Sequence, residues 1–77
     1  MAAKWSTIID EVCKSRRVFK AEVLSRKRYR PLVAARHEIA WRIAHETKLN
    51  STQIGAVLGR HRSSILHGLR KMGWSGE

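Results

Sequence analysis

Two short helical patterns separated by almost nothing constrain this chain more than any other feature. From Ser51 to Met72 it reads STQIGAVLGRHRSSILHGLRKM. Ile54, Val57 and Leu58 form one apolar set, and Ile65, Leu66, Leu69 and Met72 form a second. Each repeats at three- and four-residue spacing, which lines one face of an α-helix. Gly59 lies at the break. No room remains for a long loop, so the two helices must turn sharply against each other. A helix-turn-helix has this layout, and its second helix enters the DNA major groove.

The rest of the chain reads as scaffold and charge for that unit. Its 77 residues make one small domain, 1–77, with the core expected over about 6–72. Sixteen Lys and Arg stand against six Asp and Glu, a net charge of +10. Such a balance implies an anionic partner, nucleic acid first and anionic lipid second. The 43% apolar content is too high for a disordered basic tail. Cys13 is the sole cysteine, so a disulfide within the chain is excluded and a reducing compartment is expected. No apolar run approaches the roughly 18 residues of a membrane span. The start, MAAKWS, leads to Asp10 and Glu11 and lacks the apolar core of a secretory signal. The expected place is the cytoplasm, in association with the nucleoid.

Taken in order, the pattern predicts an all-α chain. Ser6 or Thr7 can cap a first helix, with Asp10 and Glu11 in its early turns and Ile8, Ile9, Val12 and Cys13 as its stripe. The basic run Lys14–Arg17 ends it. Val18 and Phe19 are expected in the core, and Lys20–Leu24 as a short second helix with Val23 and Leu24 inward. Ser25–Arg30 is too polar for core and reads as a loop. Pro31 suits the first turn of a third helix running to about Lys48. Leu32, Ile39 and Ile43 form its stripe, widened by Ala35, Ala40, Ala44 and Thr47, and Trp41 lies roughly opposite Ile43. Ser51 or Thr52 can cap the fourth helix, and Gly59 can close it. The fifth starts near His61 to Ser63 and fades at Gly73. Gly68 costs about 1 kcal/mol against alanine there, a hint of close backbone packing. Trp74 to Glu77 reads as a tail.

The polar residues at the start of the fifth helix are the first candidate surface. Arg62 can donate two hydrogen bonds to guanine, and His61, Ser63 and Ser64 can meet base edges or phosphate. Ser63 or Ser64 can equally serve as a helix cap. His67, about one turn on, can reach a base or a phosphate. The second surface is the loop with Arg26, Lys27, Arg28 and Arg30. Clustered cations there can follow the DNA backbone or enter a narrow minor groove. Arg36, His45, Lys48 and Arg60 are candidates for phosphate contacts, which hold register without reading sequence.

No enzyme signature accompanies these features. The carboxylates are scattered, and Cys13 has no evident histidine partner. No Walker motif or glycine-rich phosphate loop occurs. No catalytic residue, metal site or cofactor is expected.

The segment Ile54-Gly55 … Leu58-Gly59-Arg60-His61-Arg62-Ser63-Ser64-Ile65-Leu66-His67, running into Arg70-Lys71-Met72, resembles the signature of the C-terminal DNA-binding domain of the bacterial replication initiator DnaA. The likeness extends from about Val12 and takes in the basic loop and the long helix. It implies a Trp-repressor-like helix-turn-helix in a small helical bundle. It also implies recognition helix residues in the major groove and a loop arginine in the minor groove. Within that signature, His61 stands where the family has aspartate and Arg62 where it has histidine. Ser63 and Ser64 match the Thr/Ser pair, and Arg60 the signature arginine. His45 falls where the family often has a phosphate-binding lysine. One glycine of the signature's pair is missing. The resemblance brings no nucleotide-binding or helicase-loading domain with it. From its own Met1, the chain is expected to be complete, a stand-alone module that binds double-stranded DNA as a monomer and regulates replication initiation or transcription. The competing reading is an adaptor of the same fold that binds another protein, such as the initiator, through Trp5, Trp41 and Trp74. RNA binding and membrane-surface binding rank lower.

Overall fold

The computed structural model describes residues 4–73; the expected tail, Trp74 to Glu77, lies outside them. Five helices follow one another, α1 (Lys4–Arg16), α2 (Lys20–Val23), α3 (Arg30–Glu46), α4 (Ser51–Leu58) and α5 (Arg62–Lys71), with no strand among the described residues. The all-α helix-turn-helix bundle expected from the sequence is the fold observed.

α3 is the axis of the bundle, packed against each of the other four helices. Its stripe of Leu32, Ala35, Ile39, Ala40 and Ile43 is buried. Ile8, Ile9, Val12 and Cys13 of α1 close one side, and Ile54, Leu58, Ile65 and Leu69 of the helix-turn-helix close the other. Removing an isoleucine or leucine side chain from water contributes about 1.5–3 kcal/mol, so this cluster holds the domain together. Ala35 and Ala40 leave the space into which neighbouring helices come.

Several local expectations need correction. α1 already runs from Lys4, so Ser6 and Thr7 lie inside it and cap nothing. Its end is closed by Arg17 at φ 55, where Val18 N–H donates to the Cys13 carbonyl. Phe19 is 76% exposed rather than in the core, because it serves as the N-cap of α2 with extended backbone. Leu24 also faces out, as the C-cap of α2, leaving Val23 as the buried residue of that helix. Arg30 belongs to α3, with Pro31 in the first turn. Asn50, not Ser51 or Thr52, caps α4. The Gln53 amide donates to Asn50 Oδ1 at 2.9 Å and the Asn50 amide donates to Gln53 Oε1 at 3.0 Å, a reciprocal capping box. Asparagine wins because glutamine stands three residues after it, whereas Ser51 is drawn into the first turn and buried.

The turn between α4 and α5 depends on two glycines. Gly59 takes φ 66, ψ 33, the left-handed conformation that closes α4. Gly55 answers a different need. The Arg60 amide donates to its carbonyl at 2.8 Å, and a Cβ on Gly55 would lie 2.5 Å from the Arg60 carbonyl oxygen. The opposing atom is backbone and cannot swing away. Gly55→Ala is therefore expected to destabilise the domain by about 1–3 kcal/mol, the ordinary cost of overpacking. Urea denaturation measures this; wild-type stability in the variant would contradict the close approach.

Candidate nucleic-acid interface

The outward side of α5 follows from what its other side buries. Ile65, Gly68 and Leu69 face the core, which leaves His61, Arg62, Ser63, Ser64 and His67 exposed. Gly68 permits the contact between α5 and α3, since a Cβ there would meet the His37 ring at 3.0 Å. His61 is the N-cap: its Nδ1 accepts from the Ser63 amide at 3.1 Å, and its carbonyl accepts from the Ser64 amide at 3.0 Å. The capping role that the sequence offered to Ser63 or Ser64 thus belongs to His61. Arg70 and Lys71 occupy the last turn, where cations suit the helix dipole.

The basic loop is fixed by an arginine the sequence placed elsewhere. Arg36 was a candidate for DNA phosphate; instead it is only 7% exposed and its guanidinium faces into the protein. Nε donates to the Val23 carbonyl at 2.6 Å and Nη1 to the Lys27 carbonyl at 2.7 Å. Nη2 donates to the carbonyls of Ser25 at 2.8 Å and Glu22 at 3.2 Å. Burial, and secondarily the charge of Arg60, push this guanidinium below its ordinary value. Its carbonyl partners compensate for the lost water. Arg60 makes a second attachment, with Nη2 donating to the same Ser25 carbonyl at 2.7 Å. The loop is thereby bound to the helix-turn-helix while Arg26, Lys27, Arg28 and Arg30 remain exposed.

A cleft of about 320 Å³ separates the two surfaces. Arg26, Arg28, Arg36, His37, Arg60 and Ser64 line it, with apolar Val33, Ala40, Leu58, Ile65 and Leu69. His37 is the residue sequence reasoning missed; the one available signal was Gly68, which marked the packing but not its partner. Burial first, then the charges of Lys71, His67 and Arg36, lower the His37 imidazole below its ordinary range. His45 lies apart from these lining residues, exposed in the last turn of α3, its ring 4.2 Å from that of Trp41. Lys48 is exposed just beyond α3.

Charge is segregated between the two sides. Asp10, Glu11, Glu38 and Glu46 pair with Lys20, Arg42, Arg16 and Arg42 respectively. The hydrogen bonds that Arg42 donates to Glu46 and then to Glu11 raise its guanidinium above its ordinary value. From Thr47 to Gly76 the chain contains no acidic residue. Among the described residues, no cation of the loop, the turn or α5 is in an ion pair. The model of the bacterial DnaA protein helix-turn-helix family matches residues 5–72. The chain belongs to that family. No solved structure matches it. Membership of the DnaA family makes this a DNA-binding fold of the replication-initiation context. No helix of the described residues is long and apolar enough to cross a membrane.

Two outcomes are expected. Arg36→Lys retains charge but cannot span the four carbonyls, so urea denaturation should show a loss of roughly 2–4 kcal/mol. Faster amide exchange at Ser25 to Arg28 should accompany it; an unchanged loop would contradict the anchoring. The lowered His37 value makes the unfolded chain bind a proton first as pH falls. Stability from this group is thus complete above the ordinary imidazole range and declines as pH drops through it. His37→Gln should flatten that part of the stability–pH profile, whereas an unchanged profile would contradict the sign.

Proposed function

We propose that this chain binds duplex DNA sequence-specifically, with α5 in the major groove and the basic loop in the adjoining minor groove or along its backbone. The observation that carries this reading is the hydrogen bond from Arg60 to the Ser25 carbonyl, which links the two exposed cationic surfaces into one face. In this reading His61, Arg62, Ser63, Ser64 and His67 meet base edges, and Arg26, Lys27, Arg28 and Arg30 supply the loop contacts. Lys48 and His45 remain candidates for phosphate. Arg60 belongs mainly to the turn's attachment to the loop. A regulatory role follows: the module occupies sites as a monomer and thereby competes with or assists the initiator, or controls a promoter.

The adaptor reading has less support. Trp5 and Trp41 are half-buried and packed against the core, so neither is a fully exposed anchor. Trp74 lies outside the described residues.

Salt dependence tests the DNA reading. Affinity for a selected duplex is expected to fall steeply between about 50 and about 200 mM salt, with roughly 0.9 added to the log–log slope per neutralised phosphate. Replacing Arg26, Lys27 and Arg28 by alanine should reduce the slope by up to about 0.9 per residue that meets a phosphate. Salt-independent binding, or a slope untouched by the triple substitution, would contradict the proposal.

A further inference from the structure

The cap of α5 also sets the hydrogen-bonding polarity of the side chain that leads the recognition helix. His61 Nδ1 accepts the Ser63 amide proton at 3.1 Å. A ring nitrogen that accepts carries a lone pair, so the neutral imidazole must hold its hydrogen on Nε2. Nε2 lies across the ring from the capped amide, and the residue is exposed. His61 therefore offers a donor, and no acceptor, beyond the first turn of α5.

We propose that His61 is a specificity-determining residue that reads a hydrogen-bond acceptor on a base edge, a purine N7 above all, and that its capping bond enforces this choice. The proposal rests on the DNA reading above and deepens it. In the major groove a purine presents N7 as an acceptor, whereas the cytosine N4 amino group is a donor and would face the Nε2 hydrogen. A base edge suits His61 better than phosphate. With its hydrogen on Nε2 it is a single directional donor at the leading end of the helix, where such helices touch bases. An aspartate here would cap the helix equally well but could only accept. Exchange between the two inverts what the position reads and leaves the turn intact.

Two measurements on the full chain test this. Long-range ¹H–¹⁵N correlation on the free protein at neutral pH should give the Nε2–H tautomer for His61, assigned by its loss in His61→Gln. The Nδ1–H tautomer, or an average of both, would overturn the proposal without touching the DNA reading. Affinities are then compared on the duplex recovered by selection, with 7-deazapurine placed at each purine in turn. One position should cost the wild type about tenfold. His61→Asp should melt near the wild-type temperature yet be insensitive at that position, while His61→Asn, which can both cap and donate, keeps part of the sensitivity. The proposal fails if no position separates wild type from His61→Asp, or if neutral methylphosphonates rather than 7-deazapurines remove the difference. Absence of saturable binding to any duplex would overturn the DNA reading itself.

Discussion

Two guanidinium groups converge on the backbone carbonyl of Ser25, and the geometry of the candidate interface depends on them. Arg36 reaches it from the central helix and Arg60 from the helix-turn-helix. Placing two like charges there is unfavourable alone, yet the surrounding carbonyls supply the acceptors each group needs once shielded from water. The result is a basic loop held by donors from two directions. Without them the cations Arg26, Lys27 and Arg28, with Arg30 close by at the start of α3, would repel one another into an open conformation. With them the loop is ordered before any ligand arrives, so less conformational entropy is lost on binding.

That anchoring explains how a chain of net charge +10 holds its basic loop in place while keeping cations available. Acidic side chains are spent on the α1 and α3 side, where Arg42 bridges Glu11 and Glu46. Exposed pairs of this kind contribute little to stability. Their effect is on distribution: they neutralise one side and leave the loop and α5 uniformly positive. Cohesion comes instead from the apolar cluster around α3.

Much of the architecture was legible because it rests on local pattern. Three- and four-residue spacing located the helices, and Gly59 marked the turn. Gly68 announced a close approach, although only the fold shows that His37 is what approaches. The failures share one cause, competition that only the folded chain resolves. Several residues could cap α4, and the partnership of Asn50 with Gln53 decided it. Phe19 is apolar, yet its place as a cap directs it outward. Arg36 looked like one surface cation among many, and nothing in its immediate sequence shows that four carbonyls from Glu22 to Lys27 surround its guanidinium. His61 was legible as an exposed residue at the head of α5 but not as its cap, since histidine is an unusual choice beside two serines.

The account holds that one rigid face presents a helix and a loop to neighbouring grooves. Dimethyl sulfate interference on a selected duplex probes this directly, because the reagent modifies guanine N7 in the major groove and adenine N3 in the minor groove. The expected pattern is interference at guanine N7 within one stretch and at adenine N3 in the immediately adjoining minor groove. Interference confined to one groove, or spread evenly along the duplex, would contradict the joint action of α5 and the loop.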